Sequence, residues 1–509
     1  MHVNIYTIQM QMNNDDYEPI IGLDVAVANG GSVDSGKSTT VGVLVYGDLD
    51  DGNGSARTKV AKHPHELETN RTSDISTRSI RVLDSDELNE NKKGHILTMI
   101  DLCGHKKYYG TTARGMGQFP DYGMITIAAN KGVLPMTKQH MTLMALKKIP
   151  FFIIMTKIDI APKKILELTK KSIDKFIKKI GRYTTHYINK DFYTELESGK
   201  LQIISKEQSD AQMKLDIQKM PDLIETLKTK NRIVPVIAIS NKTGHYTEYV
   251  KTFVSNLKTR AKDIKDMNNG VFIIDACFKP PGQGLVLSGI MKNGTISVGN
   301  KIYIGPRGKD FIEASVRSIH YDEDCDRKDM DKKRRNILPK NGRGTIAVSI
   351  NKKYEFDRNN IKSGMVALTD KEDCDNICYE FIAEIKVIYH KTKITQESYA
   401  PFLHINTVAQ AAKLMKIHSV LNNNKLLKEE ELISRGLQQG DVATVTFRFT
   451  QRPEFIYQTN FMFREGETVG SGKVLSITQL KDDENQFPSI VKRPKHKSHK
   501  NVAVKRNKI

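Results

Sequence analysis

From Gly22 to about Asn268, short apolar runs alternate with helix-period patterns. The runs Leu23–Ala28, Ile96–Leu102, Gly123–Ala129, Phe151–Thr156 and Ile233–Ile239 predict strands. Each stops where a chemically distinctive segment begins. That is the order of an open parallel sheet, whose ligand loops sit at the carboxyl ends of its strands. Between the runs lie helices. Over Pro162–Ile180, Leu166, Ile173, Ile177 and Ile180 fall on one face and the lysines on the other. The stretch of about 181–232 is polar and too long for an ordinary connection, so it reads as an insertion with a helix near Leu223–Lys228.

After Asn269 the helical patterns fade, and short alternating segments with glycine turns predict small β-barrels. Over Val442–Thr450, Ala443, Val445, Phe447 and Phe449 alternate with polar positions, as in a strand with one buried face. A polar seam at Thr369–Asp375 divides this half in two. The expected organisation has five parts. Residues 1–18 form an extension and 19–266 an α/β P-loop domain with a mostly parallel sheet. Residues 267–372 and 373–482 form two antiparallel β-barrels, and 483–509 a basic tail.

Charge adds a partner class. The 509 residues carry 79 basic and 59 acidic side chains, a net +20 that favours a polyanion such as RNA. Part of this sits in the acid-free tail from Val491, which reads as solvated and disordered, although Lys492–Lys497 also fits a nuclear-localisation pattern. No apolar run is long enough to span a membrane, and the N-terminus lacks signal-peptide character. Five scattered cysteines predict reduced thiols and a cytoplasmic location.

Three motifs carry the chemistry. Gly31-Ser32-Val33-Asp34-Ser35-Gly36-Lys37-Ser38 fits the phosphate-binding P-loop and leads into a helical run, Thr39–Tyr46. Its backbone N–H groups would cradle phosphates, Lys37 would bridge the β- and γ-phosphates, and Ser38 would ligate Mg²⁺. Asp101-Leu102-Cys103-Gly104 ends a strand. Its carboxylate would hold Mg²⁺ through water, and the Gly104 amide would sense the γ-phosphate. Thr156-Lys157-Ile158-Asp159 supplies a carboxylate that can accept from guanine N1–H and the exocyclic amine together, a donor pair adenine lacks. Ser240-Asn241-Lys242 is a candidate backing loop for the base. In the polar stretch after the P-loop, Thr72 is a candidate second hydroxyl on Mg²⁺, the alternative being a surface threonine. His105 after the second motif has the same plain alternative, a solvated loop residue.

The stretches NGGSVDSGKSTTVGVLVYGDLDDGNGSAR, HELETNRTSD, IDLCGHKKY, TKIDIAP, PPGQGLVLSG and FMFREGETVGSG are similar to those of translation-factor GTPases. The chain from about Val25 to Leu480 resembles the class of elongation factor Tu and elongation factor 1 alpha, and within it the GTP-binding protein 1 and 2 group. The resemblance implies a GTP-binding domain with two β-barrels, cycling between GTP and GDP. It matches His105 to the family's catalytic histidine and Thr72 to its switch threonine. It also matches Gly284, Val286 and Gly289 to a second-domain hairpin, and Arg464-Glu-Gly466 to a third-domain signature. Three features depart from the family. Arg71 stands where an apolar residue screens the histidine together with the P-loop valine, here Val33. The segment Ser73–Lys93 matches nothing clearly, and the basic tail lies outside the resemblance.

The expected function is hydrolysis of GTP to GDP and phosphate by a monomeric switch with a low intrinsic rate. It would act on the ribosome, tRNA or other RNA in translation or linked RNA surveillance, with an exchange factor as a further partner and no membrane. The alternative is an RNA- or tRNA-binding module that keeps GTP as a structural ligand.

Overall fold

The computed structural model describes residues 24–61, 66, 75–83, 94–116, 120–181, 183–190, 193–195, 201–229, 232–260, 269–321, 334–351, 354, 356–389, 394–422, 425–426, 435–466 and 468–480. The N-terminal extension, Arg71, Thr72 and the basic tail lie outside them.

The first half runs β1 Val25–Gly31, α1 Lys37–Tyr46, α2 Ser55–Thr58, β2 Ser76–Leu83, β3 Gly94–Asp101, α3 Tyr109–Gly115, β4 Tyr122–Ala128, α4 Pro135–Leu146, β5 Phe151–Thr156 and α5 Lys163–Gly181. It continues with β6 Thr184–Tyr187, β7 Tyr193–Glu195, β8 Leu201–Ile203, α6 Lys206–Gln218, α7 Met220–Lys228, β9 Ile233–Ala238 and α8 Thr247–Ser255. One seven-stranded sheet forms in the order β2-β3-β1-β4-β5-β9-β6, parallel except for β2. Strands β1, β4 and β5 are buried along their whole length, which explains their unbroken apolar runs. Alternate residues supply the two faces. Val25 and Val27 pack with α1, α7 and α8, whereas Ala26 and Ala28 pack with α4 and α5.

Two outer strands were not expected. The 181–232 stretch is not wholly outside the sheet: β6 pairs with β9 and forms its edge. An edge strand is half exposed, so Thr184-Thr-His-Tyr187 alternates instead of forming an apolar run. Strand β2, at the other edge, lies in the charged segment that matched no known pattern. Helix α6 starts on a capping box, Ser205 with Gln208.

The second half holds two closed barrels of six antiparallel strands each. In the first, Lys301–Arg307 pairs with both Asp310–Tyr321 and Val366–Leu368 and so closes the ring. In the second, Phe402–Ile405 closes against Val408–Asn422 and Asn460–Glu465. Closure removes exposed sheet edges. Along Val442–Phe449, the expected Ala443, Val445, Phe447 and Phe449 face the core.

The three bodies touch pairwise. Ile96 of β3 joins the core of the first barrel, and the Arg343 backbone N–H donates to the Asp24 carboxylate at 2.5 Å. Phe455 of the second barrel packs with Val271 and Ile273 of the first. Met462, with Val469 beside it, enters the α4–α5 cluster that holds Leu102 and Met116. No helix among the described residues is long and apolar enough to cross a membrane.

Candidate functional site

The site sits at the carboxyl ends of β1, β3 and β5. A cavity of about 350 Å³ opens there, within the range of small-ligand pockets. From the P-loop it is lined by Val33, Asp34, Gly36, Lys37, Ser38 and Thr39. Gly104 and His105 come from the end of β3, Lys157 and Asp159 from the end of β5, and Asn241 and Lys242 from the loop after β9. Four segments read separately in the sequence therefore converge on one space.

Other expected residues stand behind this wall. Gly31 donates its N–H to His140 Nδ1 at 2.8 Å. Ser32 exchanges hydrogen bonds with Thr137, the backbone N–H of each donating to the other's hydroxyl. Ser35 is buried, and its carbonyl accepts the Thr156 hydroxyl at 2.7 Å. Thr156 thus ties the P-loop to β5, its hydroxyl also lying 3.4 Å from the Ile127 carbonyl of β4. Leu102 and Cys103 are buried, Ile158 packs in a small core with Ala129 and Met155, and Ser240 is buried with its hydroxyl accepting the Thr243 N–H.

At the phosphate end the polar groups are dense. Ser38 Oγ donates to Asp101 Oδ2 at 2.5 Å, and Lys37 Nζ donates to the Ser32 carbonyl at 2.9 Å. Burial pushes the Asp101 carboxyl up to about 6, against the pull of the Lys37 ammonium and the Ser38 hydroxyl. Burial also lowers Lys37, which the Asp101 charge opposes. Gly104 must be glycine: a Cβ there would strike Lys37 Nζ and the Ser32–Val33 backbone. His105 lies at the mouth, its Nδ1 accepting the Lys107 N–H at 3.2 Å and its ring 6.1 Å from Tyr108.

Four supporting side chains escaped the sequence reading. Asn29, buried in β1, donates to Asp101 Oδ1 at 3.2 Å and to the Lys37 carbonyl at 3.0 Å. Thr126 donates to Asn29 Oδ1 at 2.7 Å and so sets the amide's orientation. Thr137 and His140, three apart on α4, hold the P-loop from below. Their i, i+3 spacing after Pro135 was the available signal, but it resembles any amphipathic helix start. Asp50, Gly52, Asn53, Gly54 and Arg57 also line the cavity.

A phosphate loop at the end of a buried parallel strand, ahead of two closed barrels, is the layout of a translation-type GTPase. Comparison with known proteins agrees. The family "Elongation factor Tu GTP binding domain" matches residues 25–276, and "Elongation factor Tu C-terminal domain" matches 376–478. GTP-binding protein 1 of Xenopus laevis is 30% identical over 97% of this chain and 68% of its own length. GTP-binding protein 2 of Homo sapiens is 28% identical over 91% of this chain and 71% of its own. Among solved structures, translation elongation factor SelB from Methanococcus maripaludis in complex with the GTP analogue GppNHp shares the fold. It has a TM-score of 0.59 and 16% identity over 90% of this chain and 80% of that one. The chain belongs to the elongation factor Tu class of GTPases, in the family of GTP-binding protein 1. It binds guanine nucleotide and hydrolyses GTP to GDP and phosphate.

Proposed function

We propose that the chain is a GTP-driven switch working on the ribosome, tRNA or associated RNA, and that its described site residues act in three groups. Lys37 and the P-loop amides hold the phosphates. Asp159 reads guanine. His105 orients the attacking water beside the γ-phosphate. The observation that carries this reading is that Lys37, Ser38, His105 and Asp159 line one cavity. The translation setting is supported by the elongation-factor family matches and by the net charge of +20.

Ser38 and Asp101 fit Mg²⁺. A hydroxyl and a carboxylate already converge within 2.5 Å, and this hard cation prefers such oxygen donors. When bound, the ion neutralises phosphate charge. Thr72 remains the candidate third group, outside the described residues.

Two variants test the assignment. Asp159→Asn replaces an acceptor with an amide donor that suits the xanthine oxygen. GTP affinity is expected to fall on the order of 10⁴-fold while XTP affinity rises, and unchanged GTP affinity would remove Asp159 from base reading. His105→Ala is expected to keep GDP affinity and lose roughly 10²–10⁴-fold of ribosome-stimulated turnover. Normal stimulated turnover would refute its role.

A further inference from the structure

The cavity has a cation that neither the phosphate loop nor the base-reading loop supplies. Arg57, on the four-residue helix α2, lines it together with Lys37, Ser38, Gly104 and His105. Helix α2 packs on α1, the helix that opens with Lys37 and Ser38, with the Ala56 carbonyl against Gly42.

The segment that presents Arg57 is built to hold it still. The Asp50 backbone N–H donates to the Asn241 carbonyl at 2.9 Å, fixing the loop to the base side of the cavity. Asp50 accepts from the Gly52 and Ala56 N–H groups, and Asp51 accepts from those of Asn53 and Ser55. These bonds satisfy the helix start. Ala56 and Val60, on either side of Arg57, are buried. Arg57 Nη2 donates to the Glu66 carbonyl at 2.8 Å, which orients the guanidinium plane.

Arg57 and Lys37 therefore bring two cationic side chains to one cavity, where phosphate oxygens can accept from both. A guanidinium fork also matches phosphate oxygens geometrically.

We propose that Arg57 is a catalytic residue of the GTPase reaction, contacting the β- and γ-phosphate oxygens of GTP from within the same chain. This rests on the hydrolytic reading above. In the reaction, water oxygen bonds to the γ-phosphorus and the bond from that phosphorus to the β–γ bridging oxygen breaks. The bond's electron pair stays on the β-phosphate of GDP, and the water protons leave with inorganic phosphate or solvent. Negative charge thus moves toward the bridging oxygen, where a guanidinium stabilises it most. Part of the activation comes from Arg57 in this scheme, and a partner need only settle the water and His105.

The test is single-turnover hydrolysis by the full chain, with and without ribosomes, beside GDP affinity. Arg57→Gln keeps an N–H for the Glu66 carbonyl and removes the charge; Arg57→Ala removes both. Both variants are expected to lose about 10³-fold in single-turnover rate with GDP affinity within about fivefold, and guanidinium ion should restore part of the Ala variant's rate. Wild-type rates in Arg57→Gln would overturn the proposal and leave Arg57 a loop-holding residue. So would a loss of rate matched by an equal loss of GDP affinity. If Arg57→Ala cannot hold nucleotide, the Gln variant still decides. A wild-type chain that binds GTP but hydrolyses none in either condition would instead overturn the hydrolytic reading, and this inference with it.

Discussion

His140 holds the P-loop without touching the cavity. Its Nδ1 accepts the Gly31 N–H, so the ring must be neutral there, and burial pushes its pKa down to about 3. Its Nε2 is buried with no hydrogen-bond partner among the described residues. Because the folded pKa lies below the unfolded value near 6.5, the unfolded chain binds the extra proton first as pH falls. The stability His140 contributes is complete above about pH 6.5 and is lost progressively toward pH 3, by at most about 1.4 kcal/mol per pH unit. His140→Asn offers an amide oxygen to Gly31 and cannot titrate in this range. Urea unfolding at pH 7, 6 and 5 should show a flatter pH dependence for it than for the parent. His140→Leu leaves the Gly31 N–H without its acceptor and should cost about 1–3 kcal/mol of stability, with weaker GDP binding. The residues that meet the ligand were legible because a phosphate or a guanine demands fixed spacing. Lys37, Ser38 and Asp159 announce themselves within four or eight residues. Asn29 and His140 act on partners 72 and 109 positions away, and nothing local marks them.

At the scale of elements, α1 and α2 meet through a missing side chain. A Cβ on Gly42 would run into the Ala56 carbonyl. Replacing a mid-helix glycine by alanine ordinarily stabilises by roughly 1 kcal/mol. Here Gly42→Ala should reverse that sign, costing about 1–3 kcal/mol through overpacking and shifting α2 with the cavity wall it carries. Thermal unfolding and GDP affinity of the variant check both effects; a stabilised variant with normal affinity would show that α2 yields freely. The same scale shows which elements the sequence reveals. Strand β5 falls at Phe151–Thr156 as expected, because a strand buried on both faces is apolar throughout. Strands β2 and β6 were hidden because an edge strand keeps its polar residues.

At the scale of the molecule, a buried carboxyl stands between the barrels. Glu454 Oε1 accepts from Arg452 Nε at 2.9 Å and Gln410 Nε2 at 2.7 Å, while Arg452 also reaches the Ser363 carbonyl at 2.7 Å. Burial pushes Glu454 up to about 8, with Arg452 opposing. A carboxyl with a raised folded pKa stabilises fully below its unfolded value, and that stability is lost as pH rises through the folded one. Arg452→Met removes the opposing charge, so its cost should grow with pH. Chemical denaturation should show a small loss at pH 6 and about 3–5 kcal/mol at pH 9. An equal loss at both values would mean that the carboxyl is not held neutral.

The pairwise contacts among the GTPase domain and the two barrels form a closed triangle. In an open chain of three bodies, each joint can move by itself and intermediate poses are common. In a triangle, swinging any one body away breaks two faces at once, and the third face gives no relief until both have gone. Rearrangement after GTP hydrolysis should therefore proceed as one all-or-none step. Distance probes placed across the two faces that open should relax with a single shared rate.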